Sequence, residues 1–138
     1  MASDVLNVLM RWLHISSVAV LIGGFVFARL MLTASEKTLA ADAGQALADR
    51  ASTRFRPFAL GAMTALVLSG IYNLLYSPGR TVRYQAMLAV KLLLVAHLFS
   101  VAVIVAKPGH PRRKRLITGA AISGLIVIAI SAYLRRSY

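Results

Sequence analysis

Four long apolar runs constrain this chain more than any other feature of its sequence. They occupy residues 5–32, 57–75, 84–106 and 116–134, and shorter charged segments separate them. A helix of about 20 apolar residues is long enough to cross the roughly 30 Å hydrocarbon core of a bilayer. Because lipid cannot satisfy exposed backbone polar groups, such runs form helices. The sequence therefore predicts an all-α integral membrane protein, a single domain over residues 1–138 that folds as a four-transmembrane-helix bundle.

The connections between these spans carry their own signals. Residues 34–54 are rich in alanine, with leucine and alanine recurring at four-residue steps, which predicts an amphipathic helix that extends the first or second span beyond the membrane. Pro57 suits the first turn of the second span. The segments YSPG at residues 76–79 and PGHP at residues 108–111 are predicted to end the second and third spans.

The basic residues predict orientation and partners. Sixteen Lys and Arg against four Asp and Glu give a net charge of +12, but these charges cluster beside the apolar runs, where they act as topology signals and contact anionic lipids. Nucleic acid is therefore not an expected partner, and the bilayer is. The side of the first and third connections holds ten basic residues, nine in the connections and Arg29 near the end of the first span; they are Arg29, Lys37, Arg50, Arg54, Arg56, Lys107, Arg112, Arg113, Lys114 and Arg115. The positive-inside rule then puts both termini outside the cytoplasm, with a bacterial inner membrane as the expected location.

Small residues recur at four-residue steps in two of the spans. They are Gly61, Ala65 and Ser69 in the second span, and Gly119 with Ser123 and Ala120 with Gly124 in the fourth. Such faces let membrane helices approach closely. The interpretation favoured here is packing within one chain, and the alternative is contact with a second copy in a homo-oligomer.

Ionisable residues inside a span are candidate functional residues, because a charge at the helix centre costs about 2.5–3.5 kcal/mol. They are His14, Lys91 and His97, whereas Arg11 and Arg29 are near enough to span ends to snorkel. A rise of 1.5 Å per residue puts His14 at about 13 Å and Lys91 at about 10 Å from the outer face. His97 lies at about 20 Å, and about 120° around its helix from Lys91. The sequence therefore predicts a site between spans one and three, at the shared level of His14 and Lys91.

One interpretation of this constellation is a haem b among the helices. A neutral imidazole, of His14 before His97, would be an axial ligand, and Lys91 or Arg11 would pair with a propionate. The cationic side chains then have an anionic partner.

A second interpretation is a copper site, and a third is no ligand at all. Cu(I) would be bound by His14 together with the soft thioethers of Met10 and Met87, each one turn from an ionisable residue, although the Lys91 cation opposes this. In the third interpretation the histidines hydrogen-bond to Ser16, Ser17, Ser100 or a carbonyl, and Lys91 snorkels to the outer face. The residues alone leave copper and haem b undecided.

Several segments carry a resemblance to a known family. The resemblance is to the membrane domain of the copper resistance protein D family, and it is carried by RFRPFALGAMTALVLSGIYNLL, YQAMLAVKLLLVAHLF and RRKRLITGAAISGLIVIAISAYL. Its marks are the basic start of the second span, the Ser69–Gly70 pair, Tyr84, Lys91 and the arginine-rich start of the last span. The opening helix, WLHISSVAVLIGG, is also similar to that family. The resemblance implies a membrane protein involved in copper handling.

A more distant resemblance is to HemJ-type protoporphyrinogen oxidase, another small four-span protein. Its histidine in the first helix and lysine in the third correspond to His14 and Lys91. This resemblance implies a haem-related site, but it assigns no catalytic residue, and whether the chain is an enzyme stays open.

Overall fold

A computed structural model describes residues 1–76, 79, 81–105, 107 and 112–136, and in this part of the chain all regular structure is helical. The helices are α1 (Ala2–Thr38), α2 (Ala41–Leu75), α3 (Val82–Val105) and α4 (Arg113–Arg136). Each is long and apolar enough to cross a membrane. The prediction of an all-α four-helix membrane bundle is therefore confirmed. The predictions of where spans two and three end concern mainly residues 77–78 and 106–111. Most of these residues lie outside the described part of the chain.

The first two helices extend well beyond the predicted spans. α1 has 37 residues and α2 has 35, so each is over 50 Å long at about 1.5 Å per residue, against a hydrocarbon core of about 30 Å. They are separated only by Leu39 and Ala40, whose backbones are extended. The alanine-rich connection is thus divided between the two helices, and it forms the tip of a helical hairpin.

Pro57 lies inside α2, so the prediction that it opens a helix was wrong. The alanine-rich segment before it has high helix propensity, and the helix therefore starts at Ala41. Proline has no N–H, so the carbonyl of Thr53 loses its usual helical donor. Such interruptions are tolerated in membrane helices when neighbouring groups satisfy the freed carbonyl.

The helices form a ring in which α1 packs against α2 and α4, and α3 packs mainly against α4. Contact between α2 and α3 is thin, and α1 and α3 face each other diagonally without close backbone contact among the described residues. The buried core comprises Leu21, Phe25, Ala59, Ala62, Leu98, Val101, Val105, Ile117, Ala120 and Val127. We call the end with both chain termini the terminal end, and the end with the α1–α2 break and the start of α4 the hairpin end.

One of the two small-residue pairs of α4, Ala120 with Gly124, packs inside the chain. Gly124 is buried against Ile22 of α1, and a Cβ atom at position 124 would lie 2.9 Å from Cγ1 and 3.0 Å from Cγ2 of that isoleucine. These separations are below van der Waals contact, and Ile22 is itself buried and β-branched. The helices can approach this closely only because residue 124 has no side chain.

Gly124→Ala is therefore expected to destabilise the bundle. Overpacking a close contact costs about 1–3 kcal/mol, which outweighs the gain of about 1 kcal/mol in helix propensity. Gly119→Ala is the matched control, because a Cβ at position 119 meets nothing within 4 Å. Thermal unfolding in detergent should show a lower midpoint for the first variant and an unchanged or higher midpoint for the second. Equal midpoints would mean that Ile22 moves aside without cost.

Candidate ligand site at His14 and Lys91

His14 is held by a hydrogen bond between two helices. The half-buried imidazole projects from α1, and its Nδ1 lies 2.8 Å from Oγ of Ser69 on α2. Ser69 is fully buried. Next to it, a Cβ at Gly70 would lie 4.0 Å from Cε1 of His14, so the imidazole lies close to the α2 backbone. The ring is thus fixed against one side of the bundle.

The hydrogen bonds of Ser69 assign the tautomer of His14. Oγ of Ser69 lies 2.6 Å from the carbonyl oxygen of Ala65, to which its hydroxyl donates. Because a hydroxyl has a single proton, Oγ then accepts a hydrogen bond from Nδ1–H of His14. A neutral imidazole has one N–H, so the lone pair of Nε2 remains available. Metal-ligating histidines are oriented in this way, with the second ring nitrogen donating to a fixed acceptor.

Ser69 was not predicted as the partner of His14. The sequence assigned it to a packing face and considered Ser16, Ser17 and Ser100 as partners of the histidines. Depth alone makes Ser69 one candidate, since it lies about 9 Å from the end of the second span, close to the level of His14 in the antiparallel first span. The pairing also depends on the rotation of each helix, which the sequence does not give.

Lys91 lies on α3, and the structure brings it near His14. It is half-buried, and its ammonium group lies near enough to His14 to act electrostatically on the imidazole. The two residues that share a predicted depth therefore interact electrostatically across the bundle.

No carboxylate pairs with Lys91 among the described residues. The chain has only four acidic residues, and each has another partner: Asp4 the N-terminal amine, Glu36 Lys114, Asp42 the backbone N–H of Ala43, and Asp49 Arg113. The half-buried cation beside His14 thus has no protein counter-charge in this part of the chain.

The remaining predicted site residues divide into two groups. Met10 and Met87 are half-buried, and each lies one helical turn from His14 or Lys91 on the same helix face. Arg11 and His97 are exposed, so the structure does not gather them with His14 and Lys91. The angular separation of His97 from Lys91 accounts for its exposure.

Aromatic and polar contacts lie on the terminal side of this site. The hydroxyl of Tyr72 donates a hydrogen bond to Oδ1 of Asn7 at 2.7 Å. The ring centroids of Tyr72 and Tyr76 lie 4.7 Å apart. The guanidinium of Arg83 lies 5.5 Å from the ring centroid of Tyr133. Tyrosines and arginines of this kind are typical of a membrane–water interface. Since Asn7 precedes His14 by two turns, the site lies about 10 Å below this belt.

The fold and the site together define a small four-helix integral membrane protein with an oriented histidine in its interior. The described residues contain no group of three or more His, Cys, Asp or Glu that could hold a metal ion. Comparisons with protein-family models, curated proteins and solved structures gave no match. The resemblances to the copper resistance protein D and HemJ-type families therefore stay predictions.

Proposed function

We propose that this chain is a membrane redox protein that binds haem b inside the bundle, with Nε2 of His14 as an axial ligand. The observation that carries the proposal is the hydrogen bond from His14 to Ser69, which leaves the Nε2 lone pair available. Histidine is a common axial ligand of haem iron. When bound, haem supplies reversible one-electron transfer.

The charge beside His14 favours haem over copper. Haem carries propionates, and one of them can supply the counter-charge that Lys91 lacks within the described residues. Cu(I) would instead add a second positive charge beside Lys91, and like charges repel strongly where water is scarce. In this proposal Lys91 binds an anionic group of the cofactor, and His14 holds the metal.

Copper handling is the second candidate function. The half-buried Met10 and Met87 provide thioethers on the faces of His14 and Lys91, and thioether and imidazole ligands suit Cu(I). The resemblance to the copper resistance protein D family points the same way. The third candidate function is that of a structural or assembly protein without a ligand. In that case the hydroxyl of Ser69 only provides a hydrogen-bond partner for the His14 imidazole.

Titration of the purified, ligand-stripped protein with haem and with Cu(I) distinguishes these functions. We expect saturable haem binding that Cu(I) does not displace. Saturable Cu(I) binding that is lost in Met10→Leu and Met87→Leu would establish the copper site instead. A folded protein that binds neither would favour the ligand-free role.

Ser69→Ala tests the link between the hydrogen bond and ligand binding. Removing the acceptor of Nδ1–H releases the imidazole, and loss of such a partner lowers metal affinity about 10–100-fold. Ser131→Ala is the matched control, because Ser131 also donates to a carbonyl one turn earlier, that of Val127, at 2.8 Å. Haem titration should show weaker binding only for Ser69→Ala. Equal affinity in both variants would contradict the proposed role of Ser69.

We further propose a bacterial inner membrane with both termini outside the cytoplasm, which puts His14 in the outer half of the bilayer. The ten basic residues on the side of the first and third connections support this orientation, against Arg80, Arg83, Arg135 and Arg136 on the opposite side. Reporters fused after residue 136 and within residues 78–83 should score extracytoplasmic, and those within residues 33–56 and 108–115 cytoplasmic. A cytoplasmic C-terminus would reverse the orientation and move the site to the inner leaflet.

A further inference from the structure

A cavity of about 270 Å³ lies at the hairpin end, away from His14 and bounded by residues of all four helices. Its walls are mostly apolar and include Phe25, Leu32, Phe55, Ala59, Val105 and Ile117. Pockets for drug-sized molecules have volumes of about 300–1,000 Å³. This cavity is just below that range, so it suits a single narrow apolar group.

The cavity wall also includes a buried arginine with an unused donor. Arg113 is only 6% exposed and lines the cavity. Its Nη2 donates to Oδ1 of Asp49 at 2.7 Å and to the carbonyl of Lys107 at 3.1 Å. Its Nε has no hydrogen-bond partner among the described residues. A buried donor on a charged group is costly when unpaired, so the guanidinium at the cavity wall has unused capacity to bind an acceptor.

The surroundings of the cavity indicate the nature of that acceptor. Exposed basic residues crowd the hairpin end, namely Arg54, Arg56, Lys107, Arg112 and Arg115. Basic residues next to a membrane attract anionic lipid headgroups. The cavity wall includes the exposed apolar side chains of Phe27 and Leu47 as well, so an acyl chain can enter it from the bilayer.

We propose that the cavity binds one acyl chain of an anionic phospholipid, whose phosphate accepts a hydrogen bond from the guanidinium of Arg113. The apolar walls contact the chain, and the guanidinium provides the directional, charge-assisted bond that phosphate oxygens favour. Asp49 holds the guanidinium in place from the other side. This site is independent of haem or copper binding at His14, and it would attach the hairpin tip to the membrane surface.

Lipid retention by the full-length protein tests this site. The protein is reconstituted with equal amounts of phosphatidylglycerol and phosphatidylcholine, extracted in mild detergent, and its retained lipid is measured by mass spectrometry. We expect phosphatidylglycerol to be enriched over phosphatidylcholine. The double variant Arg113→Gln/Asp49→Asn removes both charges of the buried pair, and it should retain about tenfold less phosphatidylglycerol. Arg115→Gln, which changes an exposed charge nearby, should retain the wild-type amount.

A second variant keeps the test valid if the double variant does not fold. Ala28→Leu fills part of the cavity and leaves Arg113 intact, so it should also lower phosphatidylglycerol retention. Ala129→Leu makes the same change on the exposed face of α4 and should not. Wild-type retention in Ala28→Leu, or an equal loss in Arg115→Gln, would overturn the proposal in favour of diffuse attraction by the basic surface.

Discussion

Replacement of His14 by alanine is expected to abolish haem binding, whereas His97→Ala should leave at least part of it. The first change removes the proposed axial ligand and leaves Ser69 without its imidazole partner. Loss of a ligand to the metal should cost more than the roughly 10–100-fold that loss of a secondary partner costs. His97→Ala alters an exposed ring on α3. Absorption spectra and metal analysis on equal amounts of folded protein measure both effects.

Other outcomes of this pair of variants would change the account in definite ways. Loss of haem only in His97→Ala would move the site to the middle of α3. Loss in both variants would indicate ligation by two histidines, which requires the exposed His97 to turn inward. Full retention in His14→Ala would remove His14 from the site.

Lys91→Leu is expected to weaken haem binding about tenfold and to lower the reduction potential of the bound haem. The substitution removes a charge-assisted hydrogen bond to a propionate, and the loss of such a bond typically weakens binding by about this factor. It also removes a positive charge that favours the reduced, less positive iron. Lys91→Arg is the matched variant, because it keeps the charge at the same position in α3. Haem titration and a redox titration measure the two effects.

Unchanged haem binding in Lys91→Leu would assign Lys91 a different role. If Lys91→Leu leaves haem affinity and potential unchanged while raising the thermal stability of the protein, Lys91 is a snorkelling charge. The charge of Lys91 would then no longer favour haem over copper, although His14 could still bind a ligand.

The sequence was sufficient to predict the four-helix bundle because the thickness of a bilayer relates the length of an apolar run directly to a span. Helical rise likewise predicted that His14 and Lys91 lie at one level, and in the structure both side chains are half-buried and the Lys91 charge acts on the His14 imidazole. Hydropathy could not give the rotation of each helix about its own axis, since every face of these spans is largely apolar. The bond between His14 and Ser69 depends on that rotation, and for this reason it was not predicted.

The hairpin end shows a second limit of the sequence. Arg113 was interpreted only as one of several basic topology signals, yet it is buried and paired with Asp49. Nothing in a run of four basic residues distinguishes the member that turns inward, because its partner lies 64 positions away in the chain. Pro57 was misplaced because part of the helix predicted over the alanine-rich connection continues without a break into the second span, which puts the proline inside one helix.

The absorption spectrum of the protein, purified from membranes in mild detergent, tests the central claim most directly. The account predicts a Soret band that corresponds to a haem in each folded chain and is absent from His14→Ala purified in the same way. A folded wild-type protein from haem-replete cells that shows no Soret band, whether it carries copper or no ligand, would contradict it.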